Sequence, residues 1–318
     1  MKLRALYELA VKKGMKEDQR PRSVVEETLK NAKKEYGKAK GVDKAFFDKE
    51  RFKNPYADTR ILNGKGDEEV KTVMLGVDIG VAEILLADRL REKGARVDLV
   101  ISHHPAGKSL AHLDRVMEIQ PALWEKYGLS SEVAKGIMKD RMEEVARNLS
   151  AINHTQVQDA AGILGIPFMC IHTAADNCVA HYLQKKFDQK KPKKLKNVIS
   201  LLKSIPEYRD AVHRGVGPHI LIGEENKDAG KIFVDMTGGT SGPDKLLGRL
   251  SQSGVKTIVG MHCKESAFKT AKTEFINYVI AGHISSDNLG INLLLDEVEQ
   301  KEKLNFIECS GFKRVRRI

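Results

Sequence analysis

Three apolar runs in this chain end on histidine. Residues 100–105 (VISHHP) deliver His103 and His104, residues 170–172 (CIH) deliver His172, and residues 280–283 (IAGH) deliver His283. In open α/β sheets, sites gather outside the carboxyl ends of the strands, where loops converge. Imidazoles carried to one sheet edge by several strands therefore point to a common centre. Two of the runs also share a grammar, His172-Thr-Ala-Ala-Asp176-Asn177 and His283-Ile-Ser-Ser-Asp287-Asn288. A chain that leaves a strand and enters a helix turns positions i and i+4 to one side, so each imidazole faces its carboxylate. A carboxylate in the first turn also suits the positive end of the helix dipole. Asp176 and Asp287 could be N-terminal caps and nothing more, but capping does not require a histidine four residues earlier in both copies.

Imidazoles with carboxylates, and no thiolate among them, fit Zn, Mn, Fe, Co or Ni. Pro105 restricts His104 to extended geometry as its strand ends, so two adjacent imidazoles diverge slightly. That divergence suits two metal centres better than one. A pair of divalent ions about 3.5–4 Å apart would hold a bridging hydroxide and clamp the oxygens of a hydrolysed bond.

The elements that must position these residues read as α/β throughout. Residues 70–77 (VKTVMLGV) form a strand, 82–93 an amphipathic helix stopped by Gly94, and 97–101 a second strand. Such a βαβ unit implies a parallel sheet with a right-handed crossover. Residues 106–150 are mostly helical and carry the one tryptophan, Trp124. A helix over 157–164 and a strand over 168–171 follow. In the second half, strands over 231–236, 257–260, 277–281 and 305–309 alternate with helices over 244–253, 267–275 and 289–298. Residues 1–55 read as a charged helical arm, solvated or facing a partner, with capping-box spacing from Ser23 to Glu26 and Pro55 closing it. The expected organisation is thus an arm over 1–55, a first α/β lobe over 56–198 with a helical insertion at 106–160, and a second lobe over 199–318.

Composition bounds the class. The 318 residues include 54 Lys+Arg against 43 Asp+Glu, a net charge of +11, and are 41% hydrophobic, enough for a sizeable core. No apolar run is long enough to span a membrane, and the start lacks the apolar core and cleavage site of a secretory signal. Four scattered cysteines form neither a C-x-x-C pair nor a disulfide framework. A cytoplasmic protein is expected. The basic surplus raises nucleic-acid binding through residues 185–196, read as a basic linker, and the tail 313–317. Residues 1–51 and 185–196 carry +6 each and residues 313–318 carry +4, so the remaining body is −5. A solvated linker is the better reading of 185–196, since no aromatics beyond Phe187 are interleaved there.

His103-His104-Pro105, His172-Thr-x-x-Asp176 and Gly282-His283-x-x-x-Asp287 resemble the signature of the Nif-three-like dinuclear metal-binding proteins, a family also described as GTP cyclohydrolase I type 2-like. Val77-Asp78 resembles the hydrophobe-Asp pair ending the family's first strand. Residues 58–64 resemble its opening segment, and 238–242 (GGTSG) its Gly-rich turn. The likeness covers roughly residues 56–312, with the three motifs in the family's order. It implies a duplicated three-layer α/β/α fold of two intimately packed lobes, assembled as a homohexamer. It also implies two divalent ions per subunit on His103, His104, Asp176, His283 and Asp287, with His172 beside them in a proton-transfer role. Three features depart from the family: Asp287 stands where Glu is usual, the stretch from His104 to His172 is long, and the N-terminal arm is additional.

The implied activity is metal-dependent hydrolysis of a nucleotide-like or phosphorylated small molecule, GTP cyclohydrolase chemistry being one version. The same ligand spacing equally serves a non-catalytic metal-binding scaffold or regulatory partner protein. Residues 238–242 could cradle a phosphate through backbone N–H groups but lack the P-loop Lys-Ser/Thr, so a tight turn is the simpler reading. His154 and His262 read as structural, and Cys263 as a passive thiol.

Overall fold

A computed structural model of the chain describes residues 1–317. Among these, strands β1 (Arg60–Asn63), β2 (Thr72–Gly76), β3 (Leu99–Ser102), β4 (Phe168–Cys170), β5 (His219–Ile222), β6 (Lys231–Asp235), β7 (Val255–Gly260), β8 (Asn277–Ile280) and β9 (Asn305–Glu308) form two sheets. The first has the order β1-β4-β3-β2-β9 and the second β5-β8-β7-β6. In both, the leading edge strand runs antiparallel to its neighbour and the other pairs are parallel. The fold is α/β with duplicated lobes, β1 to β4 corresponding to β5 to β8. β2 and β3 are buried along their whole length, which is why they read as unbroken apolar runs.

The equivalence has one exception, which crosses the boundary expected at 198/199. β9 pairs with β2, so a strand from the far end of the chain completes the first sheet. Its apolar Phe306 and Ile307 find parallel partners in Val73 and Met74.

The helices Thr173–Lys190 and His283–Glu299 pack against each other at the junction of the two halves. A Cβ on Gly290 would lie 2.5 Å from the carbonyl oxygen of Ala175, so these backbones meet at a point where no side chain fits. The second helix starts at His283, six residues before the expected 289. Ser285, Ser286, Asp287 and Asn288 form its first turns and are buried there, which disguises helix as polar loop in the sequence.

The N-terminal segment corrects the expectation of a solvated arm. The helix Leu3–Glu17 buries Leu3, Leu6, Tyr7, Ala10, Val11 and Gly14, a stripe at helical spacing. It lies on Thr173–Lys190, where Asn177 donates to the Gly14 carbonyl (3.2 Å). The following helix, Arg22–Lys38, buries just Val25 and Ala32 and fits the charged reading. It begins one residue before Ser23, after Pro21, so the expected capping box lies inside the helix.

Both basic segments also differ from expectation. Residues 185–190 continue the helix from Thr173, anchored by buried Phe187, and Lys191 ends it in the left-handed region at φ 46°. Another helix, Leu195–Lys203, starts soon after, so 185–196 is a helix end and a turn rather than a linker. In the tail, Arg314 and Arg316 pair with Glu299, Lys313 pairs with Asp210, and Arg317 pairs with Glu207. Each of those cations thus has a carboxylate partner within the chain. No helix of the described residues is long and apolar enough to cross a membrane.

The insertion consists of short helices followed by the long Ser131–Ser150. Trp124 is fully buried, and it shares one apolar core with Leu123, Met117, Phe233, Leu246 and Leu250, tying the insertion to the second lobe.

Two glycines test the N-terminal packing. A Cβ at Gly14 would lie 2.7 Å from Ala174, whereas at Gly37 it meets open space. Gly14→Ala is expected to cost about 1–3 kcal/mol through overpacking, and Gly37→Ala to add up to about 1 kcal/mol through helix propensity. Urea denaturation reads both, and a Gly14→Ala protein as stable as the parent would argue against the close packing.

Candidate metal centre

The carboxyl ends of β3 and β4 and the starts of the two junction helices meet at one point. His103 follows β3 and is buried; its Nδ1–H donates to the carbonyl of Ile171 (2.9 Å). A carbonyl can accept but not donate, so Nδ1 carries a proton and Nε2 faces inward. His104 Nδ1 donates to Asp78 (2.6 Å) and His172 Nδ1 to Asp58 (2.8 Å). Thr173 Oγ1 also donates to Asp58 (2.6 Å). Three neighbouring imidazoles thus each spend Nδ1 on an outer acceptor and turn Nε2 toward the centre, as metal-binding histidines do.

The carboxylates come from the helices. His103 Nε2 lies 3.4 Å from Asp176 Oδ1 and 3.4 Å from Asp287 Oδ1. Asp287 Oδ2 lies 3.5 Å from His104 Nε2 and 3.7 Å from His283 Nε2. His172 Nε2 is 3.7 Å from Asp176 Oδ2. His103 Nε2, Asp176 Oδ1 and both oxygens of Asp287 are buried and have no hydrogen-bond partner. Buried polar atoms left so are costly and rare. Their convergence is a donor set that fits a divalent cation. Three such groups form: His103 with Asp176 and Asp287, His104 with His283 and Asp287, and His103 with His104 and His172, the ligand atoms of each lying within 4.8 Å of one another.

Charge follows this geometry. Burial works against a charge on His103, but Asp287 and Asp176 outweigh it and hold its pKa well above the ordinary value. Burial likewise opposes charge on His172, and Asp176 and Asp58 overcome it to raise the pKa. Asp287 is buried yet held below the usual carboxylate range by His103, His104 and His283. Burial lowers His262 and His283, Asp287 pulling the other way in each.

The cluster opens on a cavity of about 320 Å³ lined by His104, His172, Asp176, His283 and Asp287 together with the Gly239–Gly242 stretch. All six residues singled out in the sequence are therefore brought together: His103, His104, His172, Asp176, His283 and Asp287. His154 does not line this cavity, whereas His262 does, its ring 5.0 Å from that of His283. Ser102 pairs with Gly76 and Gly260 with Asp235, so His104 and His262 each stand two residues past matching positions. The duplication was the signal that could have placed His262. Cys263 also lines the cavity, with burial pushing its thiol up, in keeping with a passive role. Asp58 and Asp78, which orient the imidazoles, enter the sequence reading through the 58–64 segment and the Val77-Asp78 pair, with no orienting role.

The chain superposes on a NIF3 superfamily protein from Sphaerobacter thermophilus with a TM-score of 0.69 and 25% identity, over 80% of this chain and 91% of that one. The chain resembles the NIF3 superfamily in fold. Reduced HcgD from Methanocaldococcus jannaschii aligns at TM-score 0.49 and 14% identity, covering 77% of this chain and 86% of that one. TTHA1606 from Thermus thermophilus aligns at 0.44 and 16%, covering 80% and 88%. No protein-family model matches the chain, and no curated protein does. This likeness concerns the fold; a GTP cyclohydrolase activity does not follow from it.

The charge pattern of this centre sets a pH dependence. His103 has a folded-state pKa above its unfolded value of about 6.5. Its contribution to stability is complete below that pH and is lost as pH rises through the folded value. Chelator-treated protein is expected to melt at progressively lower temperature above about pH 6.5, and a divalent cation to reverse the loss. A flat profile in thermal melts would contradict this.

Proposed function

We propose that the chain holds two divalent metal ions and hydrolyses a nucleotide-like or otherwise phosphorylated small molecule. The observation that carries this reading is Asp287, whose two buried, unpartnered oxygens face different imidazoles, Oδ1 toward His103 and Oδ2 toward His104 and His283. One carboxylate thereby belongs to two donor groups, despite being a methylene shorter than the family's Glu. His103, Asp176 and Asp287 would hold one ion, and His104, His283 and Asp287 the other. Such ions supply Lewis-acid polarisation of a substrate oxygen and activation of water. Asp58 orients His172 so that Nε2 serves as the proton-transfer atom at the cavity wall. The cavity lies at the small end of the range for ligand sites, which suits the reacting group of a substrate more than a whole nucleotide. Assembly as a homohexamer in the cytoplasm is part of the same proposal and is checked by solution mass and by fractionation.

Metal analysis of purified protein followed by a hydrolysis panel of nucleotides, GTP included, and phosphoesters tests the reading. About two ions per chain are expected, falling to about one in His104→Ala and below one in Asp287→Ala. Hydrolysis should drop at least about a hundredfold in Asp287→Ala. Fewer than one ion per chain, unchanged in both variants, would refute the metal assignment. Two ions without turnover would instead favour a metal-binding scaffold.

A further inference from the structure

The cavity beside the His/Asp cluster is also lined by Gly239–Gly242, and the hydrogen bonding of the Gly238–Gly242 loop is one-sided. Gln120, from the insertion and 2% exposed, donates through Nε2 to the carbonyls of Gly238 (2.8 Å) and Thr240 (2.6 Å). Arg141, also from the insertion, donates through Nε to the carbonyl of Ser241 (3.1 Å). Three loop carbonyls are thus drawn to the insertion. The N–H groups of Gly239, Ser241 and Gly242 have no acceptor among the described residues, and these residues line the cavity. Gly238 and Gly239 adopt φ of 94° and 85°, and a Cβ on Gly238 would lie 2.5 Å from Gln120, so this path along the insertion needs glycine. The same cavity is lined by Asp176 and Asp287, 5% and 1% exposed, whose unpartnered oxygens mark it as a ligand site.

We infer that the Gly239–Gly242 backbone is an oxyanion subsite that takes the phosphoryl group of the substrate, with Gln120 as the residue that positions it. Successive free N–H groups in a glycine-rich turn bind tetrahedral oxyanions. Besides Asp176 and Asp287, two further carboxylates share the lining: Asp244 is paired with Lys264 (3.0 Å), and Asp235 is half-buried. The inference rests on the proposed hydrolase for its meaning, since it names the part of the substrate that the loop would hold beside the ions. It also explains why this chain carries its long insertion: the insertion supplies both side chains that turn the loop's carbonyls away.

The test separates the loop from the metals. Full-length protein stripped of metal is titrated with inorganic phosphate while backbone amide signals are followed by nuclear magnetic resonance. Saturable shifts of the Gly239, Ser241 and Gly242 amides are expected, with acetate binding more weakly. Gln120→Leu should weaken phosphate binding about tenfold or more, with the fold verified by circular dichroism. Phosphate that leaves those amides unmoved would overturn the inference, and so would a folded Gln120→Leu protein binding phosphate as the parent does. Should that variant not fold, the amide shifts of the parent decide alone. Because no metal is present, failure here leaves the two-ion reading standing, and failure of the metal counts leaves this result interpretable.

Discussion

The centre depends on one close contact, the approach of Gly290 to the backbone of Ala175 where the two junction helices meet. Asp176 and Asp287 sit one residue after Ala175 and three before Gly290. Whatever fixes that crossing also fixes the separation of the two carboxylates. His103 is then caught between them at 3.4 Å on either side. A bulkier residue at the contact would part the helices and with them the anions. Desolvation makes this arrangement demanding, because two buried carboxylates repel unless a proton or cation lies between them. Packing and electrostatics therefore oppose each other at this point, and close packing holds the charges where they would not stay unaided.

Around that contact lies a ring of outer supports. The carbonyl of Ile171, Asp58 and Asp78 hold three imidazoles by Nδ1. These supports come from the ends or flanks of the sheet, so the rigidity of the parallel strands passes directly into ring orientation. The N-terminal helix contributes in the same way from behind. It presses on Thr173–Lys190 through Gly14, and Tyr56 and Gly14 both receive hydrogen bonds from Asn177, next to Asp176. A segment that looks peripheral in sequence is thus a backstop for one of the carboxylates.

What could be read in the sequence was the local part of this design. The i, i+4 pairing of histidine and aspartate is set by helix geometry within five residues, and the strand-end position of each histidine follows from the apolar run before it. The six residues at the centre were legible for that reason. The orienting roles of Asp58 and Asp78 were not, because they arise from pairing with residues 114 and 26 positions away. The early start of His283–Glu299 was hidden because residues 285–288 are polar for the sake of the site, against the usual rule that buried helix faces are apolar. The N-terminal stripe was masked by the lysines surrounding it. The placement of β9 in the first sheet is a matter of topology, which its short apolar run cannot express.

That placement bears on how the protein is made. During synthesis the first half can form β1 to β4, but β2, buried throughout in the finished molecule, has an open edge until residue 308 has emerged. Exposed apolar edges of this kind recruit other chains. The growing polypeptide must therefore keep one unpaired strand waiting while some two hundred further residues are added. The halves, although duplicated in design, are mutually dependent in assembly, and the last strand acts as the latch that commits both at once.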